Sequence, residues 1–231
     1  MKIHRVCLRT EQLTDLRRFY GETLALPLHE VERERFTVSI GASELQFQTG
    51  AAAPQHFAFN IPSAQFAAAQ RWLAERAPLL PLPQGGHTMH WRAWNAHACY
   101  FRDPAGNIGE LIARHNLTDG DNCLAGQPFD PATQLLGISE VGLALADVSA
   151  ACRQIQDALG LPVWDAGDGV RFRAMGSEQG LLICVLRGHA WFPTEDVLAT
   201  PTPLQIVFAG PEERELILPG TGYELRVEVI S

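Results

Sequence analysis

The sequence predicts an α+β fold built from tandem βαβββ units, each a strand, a helix and three further strands. Three observations support this prediction. The order strand–helix–strands occurs twice before residue 115, and it returns after residue 137. The two halves also share local sequence, because residues 3–6 align with 138–141 and residues 24–27 align with 159–162. Self-similarity in a fixed order indicates internal duplication.

The first half contains two complete units. A strand at 3–9 precedes a helix capped by Thr10, whose apolar stripe repeats at helical spacing from Leu13 to Leu24. The second unit begins with a strand at 55–61, and Ser63 is the predicted cap of its helix. The alternation of polar and apolar residues predicts the remaining strands at 35–41, 43–49, 90–94, 97–102 and 107–113.

The second half repeats the pattern less completely. Residues 116–136 are rich in Asp, Asn, Gly and Pro without periodicity, which predicts a linker. The fourth unit is degenerate, because 211–216 is too short for a full helix. We therefore predict domains at 1–115 and 137–231, the second with a helix at 148–159 and strands at 138–145, 169–175, 180–186, 203–210 and 222–230.

Composition excludes several classes of protein. The net charge is −8 and basic residues do not cluster, which argues against a nucleic-acid partner. No apolar run approaches the roughly 20 residues that span a bilayer, and the chain opens on a strand pattern rather than a signal peptide. The five cysteines are scattered, without a CxxC pair, which predicts free thiols in a reducing cytoplasm.

Residues 99–113 carry the most specific signal. Asp103, Pro104, Gly106 and Asn107 form a good turn, because Pro presets φ while Gly and Asn accept positive φ. The turn predicts a hairpin, and the second strand of this hairpin places one acid, Glu110, among apolar neighbours.

Four tandem βαβββ units ending in such a hairpin resemble the vicinal oxygen chelate superfamily. Its members include glyoxalase I, bleomycin-resistance proteins and extradiol dioxygenases. The resemblance implies curved mixed sheets that form cups, with metal ligands on the concave face. These ligands come from the first strands of two units and from a final strand, which implies His4, His56 and Glu110 as the metal site.

Two imidazoles and one carboxylate with open coordination positions suit a catalytic divalent ion. The ion is typically Fe(II) when oxygen is activated, whereas zinc, manganese or nickel acts as a Lewis acid. Overlay of the halves places Ser139 at the position of His4 and Gln205 at that of His56, and only Glu224 preserves an acid. We therefore expect the second domain to be a metal-free scaffold.

The resemblance leaves three functions open. An extradiol dioxygenase would cleave a small catechol and use Tyr100 to bind it. Those enzymes also have a histidine that helps to protonate oxygen intermediates, and no histidine lies between His29 and His56 to match it. A glyoxalase-like isomerase or lyase would use Glu44 as a base or fourth ligand. A bleomycin-type binding protein would catalyse nothing. In all three cases the partner is a small molecule, and a homodimer is allowed because cups in this superfamily can be built across subunits.

Aromatic and imidazole side chains crowd the segment before the hairpin. His87, His90 and His97 lie there, and one of them is a candidate to face the cup. Trp91 and Trp94 are expected to be packing residues.

Overall fold

A computed structural model of the chain describes residues 1–117 and 126–230. Residues 118–125, in the predicted linker, and Cys123 with them, lie outside the described residues. Within the described ranges the strands form two mixed sheets, of seven and eight strands. No helix in these ranges combines the length and the apolar character needed to cross a membrane.

The first sheet has the strand order β14-β15-β13-β1-β4-β3-β2. Its strands are β1 Lys2–Thr10, β2 Leu28–His29, β3 Arg35–Ile40, β4 Ser43–Thr49, β13 Leu204–Ala209, β14 Arg214–Leu218 and β15 Tyr223–Glu228.

The second sheet has the order β10-β11-β12-β9-β5-β8-β7-β6. Its strands are β5 His56–Ile61, β6 Met89–Trp91, β7 Ala96–Arg102, β8 Ile108–Arg114, β9 Gly137–Leu145, β10 Val163–Asp165, β11 Phe172–Ser177 and β12 Gly180–Leu186. The α-helices are α1 Leu13–Arg18, α2 Phe66–Ala74, α3 Pro131–Gln134 and α4 Val148–Leu159.

Each sheet combines strands from both halves of the chain. The first unit shares a sheet with the fourth through the antiparallel pair β1–β13, and the second shares one with the third through β5–β9. The boundaries 1–115 and 137–231 stay a prediction, but the sheets do not follow them. The first strand of each unit would leave its backbone hydrogen-bonding groups unpaired at the edge of that unit. In both sheets the strand that pairs with it comes from the opposite half of the chain.

One main core joins the two sheets. It contains the inward side chains of β1, β4, β5 and β9 together with those of α1, α2 and α4, among them Val6, Phe47, Phe59, Leu143 and Ile155. The opposite face of the second sheet carries a separate cluster that includes Ala58, Tyr100 and Trp191.

Three segments differ from the prediction. Residues 92–94 are a 3-10 turn rather than a strand, and the turn ends at Asn95, whose φ of 46° breaks the extended backbone. The degenerate fourth unit has the strand Arg214–Leu218 where a helix is missing. A short helix, Pro131–Gln134, lies inside the predicted linker.

The hairpin predicted between β7 and β8 is present, and Asp103 organises its turn. One carboxylate oxygen of Asp103 accepts hydrogen bonds from the backbone N–H groups of Ala105 and Asn107 at 3.0 Å. The other accepts from the hydroxyl of Tyr20 at 3.0 Å and from the Asn107 amide at 2.8 Å. The turn is thereby attached to the main core through Tyr20, which is fully buried.

The raised pKa of Asp103 predicts that the stability of the protein depends on pH. Burial raises the pKa of Asp103 to about 6, against an ordinary value of 3.8 and despite its hydrogen bonds. Because the folded-state pKa lies above the unfolded one, the contribution of Asp103 to the unfolding free energy is greatest below about pH 4 and is lost as the pH rises through about 6. Asp103→Asn carries no such charge. The unfolding free energy of the natural chain, measured by urea denaturation, should fall relative to that of the variant between about pH 4 and about pH 7; a difference that is flat with pH would contradict the assignment.

Candidate metal centre

Three donor side chains, His56, Glu110 and Glu140, meet on neighbouring strands of the second sheet. β5 lies between β8 and β9, and the register places Ala58 beside Glu110 on one side and beside Glu140 on the other. His56 lies two residues before Ala58, and side chains two residues apart on a strand project from the same face. The strand pairing therefore brings all three donors to one face of the sheet.

The donors are close without being hydrogen-bonded to one another. Nε2 of His56 lies 3.6 Å from a carboxylate oxygen of Glu110 and 3.7 Å from one of Glu140. A direct hydrogen bond needs about 2.7–3.2 Å, whereas ligand atoms held about 2.0–2.2 Å from one ion lie about 3–4 Å apart. All three side chains are buried, so their spacing suits a shared cation.

The tautomer of His56 is fixed by the backbone. Nδ1 lies 3.2 Å from the carbonyl oxygen of Ile108. A carbonyl only accepts, so Nδ1 carries the hydrogen and donates it. The lone pair of the neutral ring is then on Nε2, which faces the two carboxylates, as in metal-binding histidines oriented by an outer hydrogen bond.

The two carboxylates repel each other in a buried setting. Burial raises the pKa of Glu110 well above its usual range, the charge of Glu140 raises it further, and Arg114 opposes both effects. Oε1 of Glu110 has no hydrogen-bond partner among the described residues. A divalent cation would offset this repulsion and the desolvation of Glu110, so the residues present fit a metal ion.

Arg114 is a buried cation that orients Glu140. Its guanidinium donates a short hydrogen bond to one oxygen of Glu140, and its Nε donates to the hydroxyl of Ser139 at 3.1 Å. The guanidinium also lies over the ring of Trp94, 5.4 Å from its centroid. The second oxygen of Glu140 is left to face His56.

The donors line a cavity of about 520 Å³. Small side chains on the same face of the sheet, among them Ala58, Ala98 and Ala144, occupy little of the space above the strands. The walls are rich in aromatic side chains, which are Trp91, Trp94, Tyr100, Phe172, Trp191 and Phe192. This volume, with apolar walls and a few convergent polar groups, is typical of a small-molecule site.

The segment between β12 and β13 covers part of the site. Trp191 lies against His56, with ring centroids 5.8 Å apart, and Phe192 lies 5.4 Å from Tyr100. Gly142 makes room for this arrangement, because a Cβ there would lie 2.5 Å from an atom of the Trp191 ring. Arg102 ties the hairpin to the same segment through a two-pronged ion pair with Asp196, at 2.8 and 3.0 Å.

Charged groups line the rest of the cavity. Asp165 accepts a hydrogen bond from Nε1 of Trp94 at 2.8 Å, and Asp168 pairs with Arg171 at 2.7 Å. His189 also lines the cavity. These groups surround an otherwise apolar space.

The structure brings together three of the five site residues expected from the sequence. His56 and Glu110 are two of the donors, and Tyr100 is opposite Glu110 in the register of β7 and β8. His4 lies on β1 in the first sheet and is not one of the donors. The third donor of the group is Glu140.

Glu44 is also outside the cavity. It lies on β4 of the first sheet, where its carboxylate accepts a hydrogen bond from Arg5 at 2.6 Å and lies 3.1 Å from Nε2 of His29. The base expected for a glyoxalase-like reaction is thus not at the candidate centre. Trp91 and Trp94, expected to be packing residues, do line the cavity.

Glu140 was missed because the overlay of the halves drew attention to Ser139. Between the first and last strands of each unit, the register pairs Arg5 with Glu44, Ala58 with Glu110, Glu140 with Leu181 and Gln205 with Glu224. The second half contributes one of the three grouped side chains, Glu140, and the expectation of a metal-free second domain stays a prediction. The available signal was an acid inside the apolar strand 138–145, which is the same feature that singled out Glu110.

No model of a known protein family matches the sequence, and no curated protein matches it. Among solved structures, a Bacillus subtilis protein whose name proposes a dioxygenase activity is 12% identical and superposes with a TM-score of 0.63, covering 100% of this chain and 86% of that one. A point mutant of glyoxalase I from Zea mays is also 12% identical, with a TM-score of 0.51 and coverage of 98% and 91%.

Lactoylglutathione lyase from Agrobacterium tumefaciens is 20% identical over 48% of this chain and 92% of its own, with a TM-score of 0.41. The two full-length likenesses show the fold. The chain has a two-domain glyoxalase-like fold, and the predicted fold class is confirmed.

The close approach of Trp191 to Gly142 predicts a coupled pair of substitutions. Gly142→Ala should lower the unfolding free energy by about 1–3 kcal/mol, because the added methyl overlaps the six-membered ring of Trp191. Adding Trp191→Phe should recover part of this loss, since the smaller ring leaves room for the methyl. Urea denaturation of both single variants and the double variant measures the coupling, and a Gly142→Ala chain as stable as the natural one would overturn this explanation.

Proposed function

We propose that the protein is a metal-dependent dioxygenase that binds a small catechol-like substrate in the second-sheet cavity and cleaves its ring with O₂. The observation that carries the proposal is the buried set His56, Glu110 and Glu140 on the wall of a cavity whose other walls are aromatic. The flat ring of a catechol fits between such walls, and its two neighbouring oxygens could both reach an ion held by these three side chains.

The ion would be held by Nε2 of His56 and by one oxygen each of Glu110 and Glu140. One imidazole and two carboxylates on a mononuclear ion, with open positions, resemble the donor set of Fe(II) oxygenases, although a second carboxylate replaces the second histidine. When bound, the ion would supply attachment of both substrate oxygens and activation of O₂. We propose iron on this basis, and manganese is the alternative that the extra carboxylate favours.

Tyr100 is placed to donate a hydrogen bond to the substrate. Burial, and then the charge of Glu110, raise the pKa of Tyr100 well above its usual range, so its hydroxyl keeps its proton. Nε1 of Trp91 donates to the Tyr100 oxygen at 3.0 Å. The hydroxyl oxygen is therefore held in place while its own hydrogen stays available for Glu110 or for a substrate oxygen.

The remaining residues exclude water and hold the donors. Arg114 keeps one oxygen of Glu140 engaged, so that the other faces His56. Trp191 and Phe192 cover His56 and Tyr100. A water-poor cavity strengthens every polar contact made inside it.

Metal binding tests the donor set directly. In protein purified without oxygen, His56→Ala, Glu110→Gln and Glu140→Gln should each weaken retention of the ion by more than about 100-fold, because replacing an outer-shell partner alone typically costs 10–100-fold. Elemental analysis after gel filtration gives the content and identity of the metal.

Two matched controls belong to this experiment. His4→Ala and Glu224→Gln remove a histidine and an acid from the first sheet, so both variants should keep the metal content of the natural chain. Circular dichroism checks that each variant is folded. Loss of the ion on changing His4, with retention on changing Glu140, would overturn the donor set.

Activity separates ring cleavage from glyoxalase-type chemistry. With catechols as substrates and the metal restored, Tyr100→Phe should lower kcat/KM for oxygen uptake by about 10–100-fold. This is the effect expected from losing one hydrogen bond to a substrate oxygen that carries negative charge in the transition state. Tyr20→Phe, which changes another buried tyrosine away from the cavity, should leave turnover unchanged. Isomerisation of a thiohemiacetal without oxygen uptake would replace the proposal with a glyoxalase-like function.

A further inference from the structure

Three histidines form a second cluster of metal-ligating side chains. His90 and His97 are directly opposite each other on β6 and β7, and their rings stack with centroids 4.4 Å apart. Nδ1 of His97 lies 2.7 Å from Nε2 of His115, which follows β8. Strand pairing thus collects three imidazoles at one edge of the second sheet.

The cluster is separate from the candidate metal centre. Tyr100 and Ala98 on β7 belong to the cavity face, and alternation along the strand places His97 on the opposite face. There the His97 ring packs beside Phe66 of α2, with centroids 5.7 Å apart. None of the three histidines lines the cavity.

The surroundings of His97 favour its neutral ring. Burial lowers the pKa of His97, and the neighbouring His90 and His115 lower it further. Stacked or hydrogen-bonded imidazoles repel when both are charged. A neutral imidazole keeps a lone pair, and that lone pair is the metal ligand.

We propose that His90, His97 and His115 bind a borderline divalent cation such as Zn²⁺, as a second metal site on the outer face of the second sheet. The His97 and His115 nitrogens are 2.7 Å apart, which is a hydrogen-bond distance. An ion would replace the shared proton and move the two nitrogens to the spacing of about 3–4 Å that ligands on one ion have. Imidazole is a preferred ligand of zinc, copper and nickel. Three histidines leave an open position, which water fills.

His90 completes the set by a local movement. Its ring now stacks on His97, and its side chain is exposed, so turning a ring nitrogen toward the His97–His115 pair displaces no packed neighbour. Directly opposite residues on paired strands have Cβ atoms about 4.5–5.5 Å apart, which keeps His90 within reach of the same ion.

The test is the number of Zn²⁺ ions bound by chelator-stripped protein, measured by isothermal titration calorimetry near neutral pH. His115→Gln should bind one ion fewer than the natural chain, and His97→Gln should give the same loss. His87→Gln is the matched control, since His87 is a nearby exposed histidine outside the cluster, and it should bind as many ions as the natural chain.

The measured difference does not depend on the proposed function. If the His56 centre takes no zinc, the natural chain should bind one ion and His115→Gln none. Equal numbers of ions in the natural chain and in folded His115→Gln would overturn the site, as would an equal loss in His87→Gln. His115 is exposed, so its replacement leaves the packing of the sheet intact and the result interpretable.

Discussion

The pairing of β5 with β9 is the constraint on which the candidate centre depends. This antiparallel contact joins the second unit to the third and places Ala58 between Glu110 and Glu140. Without it, each unit would present a single acid on its own strand. The contact links residues about 80 positions apart along the chain, so the site forms only when the sheet is complete.

Burial makes this arrangement costly unless charge is balanced. Two carboxylates at 3–4% side-chain exposure lose most of their hydration, and such groups need paired charges, hydrogen bonds or a metal ion. Arg114 offsets one of the two charges. Replacing a buried ion pair with apolar residues is often neutral or stabilising, so the two buried acids are not explained by stability alone.

Local signals in the sequence were enough for most of the fold and for part of the site. Strand alternation, the turn at Asp103 and the acid at Glu110 are short-range features, and they identified units and hairpin correctly. Which units share a sheet is decided by contacts between distant strands, and no local pattern encodes it. The expectation for His4 followed from placing two consecutive units in one cup, whereas the first unit pairs with the fourth. Glu140 became visible only through the β5–β9 register.

Each sheet has an acid on the last strand of a unit from the first half, and the residue beside that acid differs between the sheets. In the first sheet Arg5 is opposite Glu44, and in the second sheet Ala58 is opposite Glu110. The guanidinium of Arg5 already neutralises Glu44, and the pair is open to solvent, with 41% and 25% of the side chains exposed. Ala58 offers no charge and little volume, so the carboxylate of Glu110 stays buried without an opposite charge from that position. An arginine at the position of Ala58 would supply that charge internally, as Arg5 does for Glu44 in the first sheet.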